Sequence, residues 1–160
     1  MSNAKYPSES EVIMTELVLP QHTNELGTVF GGMVMSWVDI AAAICAQRHC
    51  GKQVVTASVD AMEFRAPVRL GWIMKLLGSV NNVWKSSCEV GVKVIAENPK
   101  SGEVYHTASA YVTMVALDSM GRPTAMPVIE PETEDQKRRF QEAQDRKVAR
   151  LELKKKRRQS

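Results

Sequence analysis

A run of 17 residues, from position 33 to position 49, constrains the fold of this chain more than any other segment. It contains no proline and no glycine, and three consecutive alanines at 41–43 add strong helix formers. Its apolar residues fall on nearly every face of a helix, which predicts a buried helix and not an amphipathic surface helix. Gly51 stands just beyond the run, where helices commonly end. The rest of the chain must therefore wrap around one central helix.

Strand-like segments make up most of the chain on either side of this helix. They are rich in β-branched and apolar residues, and glycine, asparagine or proline separates them. Three of them are about a dozen residues long, which favours one strongly curved antiparallel sheet. The order of one strand, one helix and four strands predicts an α+β fold in which the sheet wraps the helix. The predicted strands cover residues 11–19, 53–60, 71–83, 85–97 and 103–117.

A second helix is predicted near the C-terminus. Prolines at 123, 127 and 131 space out a linker, and Thr133 with Gln136 forms a capping box for a helix at about 134–155. Its few apolar residues predict that this helix packs weakly or projects. We therefore predict an N-terminal tail over 1–10, one domain over 11–127, and a linker with a basic C-terminal helix over 128–160.

The positive charge is concentrated in this C-terminal extension. The formal net charge of the 160 residues is +3, but residues 131–160 carry +5 and residues 1–130 carry −2. A nearly neutral body does not indicate a nucleic-acid-binding domain. The basic run at 154–158 has no aromatic residues between its charges, so we interpret it as a solvated tail and predict no nucleic-acid partner.

The cysteines and the hydropathy pattern predict a location. Three cysteines without a regular spacing favour a reducing compartment. The N-terminus lacks the apolar core of a signal peptide. The longest apolar run, at 33–46, is too short to span a bilayer and contains Asp39. These observations predict a cytoplasmic protein with no integral membrane contact.

Two glycines, Gly31 and Gly32, open the central helix and could serve chemistry. The first amides of a helix have no partner within the helix, and glycine lets a ligand approach them closely. Such amides can polarise a carbonyl and stabilise an oxyanion. The alternative is that the glycines only permit a tight join between loop and helix.

Asp39 is a single carboxylate inside this apolar helix, where an ionisable group is costly. Its functional role would be that of a general base on water or of a direct nucleophile on an acyl carbon. The structural alternatives are a hydrogen bond to a loop or a place at a subunit contact. In the preceding loop, Asn24 could position a water or a carbonyl, or could simply form a turn. His22 is expected to anchor that loop.

Two other kinds of site are not favoured. Cys45, His49 and Cys50 lie near one another in the sequence, but packing at a helix end explains them better than metal ligation. Ser36 lacks the Gly-x-Ser-x-Gly context of a nucleophile elbow. We therefore predict no metal.

Several motifs, in order along residues 10–127, resemble a known family. The first reads HxNxxGxxFGGxxxxWxD at positions 22–39 and is long enough to be specific. VTASVD at 55–60, FxxPxxxG at 64–71, SSxEV at 86–90 and DxxGRP at 118–123 follow it. Together they are similar to the motifs of hotdog-fold acyl-CoA thioesterases, the acyl-CoA hydrolase family.

The resemblance implies a hotdog fold and hydrolysis of fatty acyl-CoA to a free acid and CoA. It implies no cofactor, because CoA is part of the substrate and product. Asp39 would be the catalytic carboxylate, with Asn24 supplied by the neighbouring subunit of a homo-oligomer, commonly a trimer of dimers. The alternative is a non-catalytic acyl-CoA-binding sensor with the same fold. By the resemblance, the helix start (Phe30, Gly31, Gly32) would face the thioester, and Arg65, Lys85, Ser86 and Ser87 would contact CoA.

Overall fold

The computed structural model describes residues 3–160 and confirms the predicted fold, in which one helix lies inside a curved antiparallel sheet. Each predicted strand is present, with ends that differ by at most two residues. Two short 3-10 turns lie at Pro7–Glu9 and Pro20–His22. The helices and strands are β1 (Val12–Leu17), α1 (Gly31–Cys50), β2 (Gln53–Val59), β3 (Ile73–Val83), β4 (Ser87–Glu97), β5 (Val104–Leu117) and α2 (Glu134–Gln159).

The sheet has the strand order β1-β3-β4-β5-β2, and every neighbouring pair is antiparallel. The short strands β1 and β2 are therefore its two edges. Side chains alternate between the two faces of a strand, and those of β4 show which face is the core. Its inward-facing side chains, which pack with α1 in one apolar cluster, are at most 2% exposed; they are Cys88, Val90, Val92, Val94 and Ala96.

Helix α1 begins at Gly31, the first of the two glycines predicted to open it, and ends at Cys50. Gly51 follows in the left-handed conformation, with φ of 65°, and its amide donates to the Gln47 carbonyl. This is the predicted glycine stop. The helix is not covered on all sides in one chain, because Met35 and Ile40 are 45% and 46% exposed. The face of α1 that contains Met35 and Ile40 is therefore exposed in the single chain.

The prediction that α2 packs weakly or projects was wrong for its first half. Asn82 on β3 donates to the Phe140 carbonyl at 3.1 Å, and Trp84 donates to Gln144 at 3.0 Å. Ala143 is fully buried. Only residues 151–160 are exposed throughout. The predicted capping box is confirmed, since Thr133 and Gln136 exchange side-chain and backbone hydrogen bonds.

A buried carboxylate, Glu89 on the outer face of β4, explains why a polar helix packs there. It is 0% exposed and accepts four hydrogen bonds. Arg146 on α2 supplies two of them, at 2.8 and 2.9 Å, while Asn81 and Arg150 supply one each. The Arg146 guanidinium also stacks 3.6 Å from the centre of the Tyr111 ring. Helix α2 is therefore held on the sheet by the ion pairs of Glu89 with Arg146 and Arg150, and not by the apolar contacts whose scarcity had predicted weak packing.

The described part of the N-terminal segment lies against the chain that follows β5. Lys5 forms a parallel bridge with Ile129, through bonds to the Val128 carbonyl and from the Glu130 amide at 2.8 Å each. Ser10 is 1% exposed. Residues 1 and 2 of the predicted tail lie outside the described residues. In the part of the chain that the structure describes, no helix is long and apolar enough to cross a membrane.

Candidate active site

Asp39 lies on α1 beside the edge strand β2, and a threonine holds it there. Thr56 Oγ1 donates to Asp39 Oδ1 at 2.5 Å. The carboxylate is partly exposed on the open side of the helix. Thr56 is a functional candidate that sequence reasoning did not single out. The available signal was its place in the VTASVD motif, on the strand that directly follows the helix.

Asn24 forms a turn in the loop before α1, as the structural alternative predicted. Its side-chain oxygen accepts from the amides of Leu26 and Thr28, at 3.0 and 3.3 Å, and from the Thr28 hydroxyl at 3.1 Å. The side chain is exposed, and its amide nitrogen has no acceptor among residues 3–160. The side-chain oxygen of Asn24 is therefore used by the loop, and its amide nitrogen can donate to a ligand.

His22 fixes the position of the same loop. Its Nδ1 accepts from the Leu19 amide at 3.0 Å, and its ring stands edge-to-face against Trp37 of α1, with centroids 5.0 Å apart. The Phe30 amide also donates to the His22 carbonyl. These contacts support the expected anchoring role.

The start of α1 exposes two amides beside two aromatic rings. No side chain caps the helix, and within the described chain the Gly31 and Gly32 amides have no acceptor. A Cβ atom at Gly32 would lie 2.6 Å from the Phe30 ring, and one at Gly31 would lie 3.3 Å from the Phe64 ring. Glycine therefore allows a tight join and also leaves donors free, so the two interpretations of this pair do not exclude each other.

A cavity of about 210 Å³ opens directly beside Gly31. Arg65 borders it; the Arg65 backbone amide donates to Thr107 of β5 at 2.9 Å, and its guanidinium lies 3.4 Å from His106. The walls are otherwise mostly apolar, and they include Val29, Val34, Phe64, Val68 and Met74. The cavity thus combines a hydrophobic interior with polar groups at the helix start.

One chain does not bring all the predicted catalytic groups together. Asp39 comes eight residues after Gly31, a separation of about 12 Å along a helix axis. In the described chain Asp39 bonds to Thr56, and Asn24 bonds only within its own loop. The Asn24 loop and the free amides at the start of α1 therefore form one half-site. The Asp39 carboxylate, near the middle of the helix, forms the other.

The predicted CoA-binding residues are also separated. Lys85, Ser86 and Ser87 lie at the β3–β4 turn, where the carbonyls of Lys85 and Ser86 accept from the Met126 and Ala116 amides. This turn is at the opposite end of β3 from Met74 and the cavity, roughly 30 Å along the strand. Arg65 alone among these residues lies near the helix start.

The cysteine and histidine cluster is buried packing. His49 is 0% exposed, and its Nε2 lies 2.7 Å from the Pro127 carbonyl. Burial lowers the pKa of His49 and raises the pKa of Cys45 to about 12. Among the described residues, no group of three or more His, Cys, Asp or Glu side chains could hold a metal ion.

Comparison with known proteins agrees with this fold. Residues 26–103 match the model of the Thioesterase superfamily. The uncharacterized acyl-CoA thioester hydrolase YkhA of Bacillus subtilis is 42% identical over 132 residues, which cover 82% of this chain and 77% of that protein. A crystal structure of an apo-hexameric acyl-CoA thioesterase superposes with a TM-score of 0.91 at 39% identity, covering 94% of this chain and 96% of the other.

The acyl-CoA hydrolase of Staphylococcus aureus, solved with butyryl-CoA, CoA and CoA disulfide, superposes with a TM-score of 0.85 at 36% identity and covers 96% of each chain. Its solved variants include separate alanine substitutions of an asparagine, an aspartate and a threonine. The fold, the motifs and these likenesses agree with one another. This chain belongs to the hotdog-fold acyl-CoA thioesterases of the Thioesterase superfamily.

Proposed function

We propose that this enzyme hydrolyses fatty acyl-CoA at a site shared between two copies of the chain, with Asp39 from one copy and Asn24 from the other. The observation that carries this proposal is the separation of the two half-sites. A reacting carbonyl must lie within about 3 Å of both its oxyanion donors and its base or nucleophile. Groups about 12 Å apart on one rigid helix cannot meet that requirement alone.

The exposed side of the chain supports a second copy at this place. Among residues 3–160 no strand lies beside the outer edge of β2, and Val55 on that strand is 45% exposed. Met35 and Ile40 of α1 lie on the open side of the helix that also carries Asp39. An unpaired edge next to an apolar helix face is a surface that association with an identical chain would bury. Two solved relatives are described as hexameric, in keeping with the proposed trimer of dimers.

The spacing of three residues supports their roles. In the Staphylococcus aureus hydrolase, the replaced asparagine, aspartate and threonine are 15 and 17 positions apart. Asn24, Asp39 and Thr56 are likewise 15 and 17 positions apart. We therefore assign Thr56 to the site, where its hydrogen bond orients the Asp39 carboxylate.

In the proposed reaction, Asp39 either removes a proton from water as it attacks the thioester carbon or attacks that carbon directly. The carbonyl oxygen gains negative charge, and the Gly31 and Gly32 amides together with the Asn24 amide nitrogen stabilise it. The carbon–sulfur bond then breaks, and CoA leaves as the thiolate. With direct attack, water hydrolyses the resulting anhydride in a second step. Side chains and backbone amides supply each step, so we propose no cofactor.

The CoA moiety would extend from the helix start across the oligomer. Arg65 is suited to a phosphate near the cavity, and Lys85, Ser86 and Ser87 stay proposed contacts that only a neighbouring chain could bring to the same ligand. The cytoplasmic location and a role in fatty acid metabolism stay predictions.

Mixed oligomers test the shared site. We expect Asp39→Asn and Asn24→Ala to lower thiol release from acyl-CoA, the former by about a thousandfold. Co-expression of the two variants should restore about a quarter of wild-type activity, because half of the dimers are mixed and each mixed dimer has one intact site. Recovery is not expected if Asp39 and Asn24 of the same chain act together. A wild-type protein that binds acyl-CoA without releasing thiol would instead be the sensor of the alternative hypothesis.

A further inference from the structure

The edge strand β2 contains an irregularity directly after Thr56. Up to that residue the strand is in regular register with β5, and Thr56 stands opposite Met114, which is buried on the inner face of the sheet. The register then shifts, so that Ser58 stands opposite Thr113. Strand β2 therefore advances two residues while β5 advances one, which is the pattern of a β-bulge.

The extra residue decides which face of the sheet the next side chains reach. Side chains four positions apart in a regular strand point to the same face. Thr56 donates to Asp39 on the inner side at 2.5 Å. Asp60, four positions later, accepts from Arg150 of α2 on the outer side at 2.9 Å. Both bonds exist together only with the bulge in place, because a regular strand would turn one of the two side chains to the wrong face.

Arg150 is placed to hold Asp60 on the outer face. Its Nη1 contacts both Asp60 and Glu89, and the side chains of Arg150 and Asp60 are only 20% and 23% exposed. The other terminal nitrogen, Nη2, is buried and has no hydrogen-bond partner in the part of the chain described. The two carboxylates are therefore what keeps the guanidinium here, and solvent screens such a pair less than an exposed one.

The end of β2 has few other restraints. In the described chain β2 has a neighbouring strand on one side only, and residues 55–59 are exposed. Beyond the bulge, only Ser58 and Val59 pair with β5, and the Asp60 amide donates to the Tyr111 carbonyl at 3.0 Å. Backbone bonds of this kind re-form after a slip of one residue, whereas the Asp60 ion pair does not. The ion pair therefore selects the register.

We propose that Arg150 is a positioning residue for thioester hydrolysis. Its ion pair with Asp60 preserves the bulge in β2, and the bulge keeps Thr56 directed at Asp39. The inference rests on the proposed function, in which Asp39 reacts and Thr56 orients it. Helix α2 thus supports the site from the opposite face of the sheet without touching the substrate. Bulges beside active sites commonly redirect a single side chain in this way.

Two substitutions break the ion pair: Asp60→Asn removes the negative charge, and Arg150→Met removes the guanidinium. We expect each to lower kcat for thiol release from acyl-CoA by up to about tenfold, the loss expected of Thr56→Val. KM should stay within about twofold of the wild type, because the orientation of Asp39 changes and substrate binding does not. Arg150→Lys keeps a charge that can reach Asp60 and should recover part of the loss.

The combination with Thr56→Val is the decisive measurement. In that background Asp60→Asn and Arg150→Met should lower kcat by no more than about twofold further, because the hydrogen bond that they protect is already gone. Arg138→Met is the matched control, since it breaks exposed ion pairs on the same helix. It should keep the kcat of its parent in both backgrounds.

Hydrogen exchange tests the effect on the strand independently of activity. Exchange is followed by mass spectrometry on peptides that span residues 53–60 of the purified full-length protein. We expect faster exchange in this segment for Asp60→Asn and Arg150→Met, with β3 unchanged, because the end of β2 opens more often. Arg138→Met should match the wild type.

The outcomes separate the inference from the proposed function. The inference is wrong if both ion-pair variants keep the wild-type kcat, or if their losses multiply in full with that of Thr56→Val. If Arg150→Met does not fold, Asp60→Asn decides the matter, since it leaves Arg150 bonded to Glu89. If the wild type releases no thiol, the proposed function fails. Exchange at residues 53–60 then still shows whether Arg150 holds β2, and unchanged exchange in both variants overturns that part as well.

Discussion

Two carboxylates of this protein, one on each side of the sheet, have opposite surroundings. Glu89 on the outer face is fully buried and accepts four hydrogen bonds, three of them from two arginines. Asp39 on α1, on the inner side, is partly exposed and accepts one bond, from Thr56, within the described chain. Asp39 interrupts an apolar helix, whereas Glu89 occupies an outward position of an alternating strand and would be expected to face solvent.

The difference shows how a costly carboxylate can serve structure or chemistry. Every strong acceptor position of Glu89 is occupied, and that saturation ties α2 to the sheet. Asp39 keeps lone pairs free on a side of the molecule where a substrate or a second copy can reach them. Saturation therefore indicates a structural role for Glu89, and partial satisfaction indicates a reactive role for Asp39.

The largest expected effect is the loss of stability in Glu89→Gln. An uncompensated buried charge costs about 3 to 5 kcal/mol, because Arg146 loses its counter-ion, whereas Arg150 keeps its ion pair with Asp60. Urea unfolding at one fixed protein concentration measures the change. Glu142→Gln is the matched control, since Glu142 pairs with Arg138 on the exposed side of the same helix and should change stability by no more than about 0.5 kcal/mol. Equal urea midpoints for Glu89→Gln and Glu142→Gln would show that the bonds between Glu89 and the two arginines do not hold α2 on the sheet.

A smaller effect is expected from acid. Burial alone would raise the pKa of Glu89, but the bonds from Arg146 and Asn81 outweigh it and hold the pKa below its ordinary value of 4.5. The stability that this group contributes is therefore present above about pH 4.5 and is lost as the pH falls through its folded-state pKa.

We expect the stability difference between wild type and Glu89→Gln to stay constant above about pH 4.5 and to narrow as the pH falls below that value. Urea midpoints at a series of pH values on both sides of 4.5 measure this difference, with Glu142→Gln as a control that keeps the wild-type dependence on pH. A gap that stays constant with pH would mean that Glu89 is not ionised in the folded protein.

The smallest expected effect is that of Thr56→Val, which removes the one hydrogen-bond partner that Asp39 has in the described part of the chain. We expect kcat to fall about tenfold, with a stability change of about 1 kcal/mol or less, because the carboxylate keeps its place but loses its orientation. Thr113→Val on the adjacent strand is the control, since the Thr113 hydroxyl is buried and has no partner in the part of the chain described. If both valine variants lower kcat equally, Thr56 acts through the sheet and not through Asp39.

Much of this architecture was predictable because it depends on local patterns. The absence of proline and glycine over 33–49, with a glycine pair before it and Gly51 after it, predicted α1, and the pair Thr133 and Gln136 located the start of α2. The motif at 22–39 also placed Asn24, Gly31 and Asp39 on one loop and helix. Their roles are proposals of chemistry that no local pattern can establish.

The sequence by itself determined that one helix is wrapped by strands, because a helix over 33–49 with apolar residues on nearly every face must be covered on all sides and the rest of the domain is strand-like. Only the tertiary structure decided what the single polar residues do. Thr56 meets Asp39 because β2 pairs with β5 at the sheet edge, with a bulge between positions 56 and 58. Glu89 meets Arg146 across 57 residues of chain. Such contacts depend on strand register and on helix placement, which the whole fold sets and a local pattern does not encode.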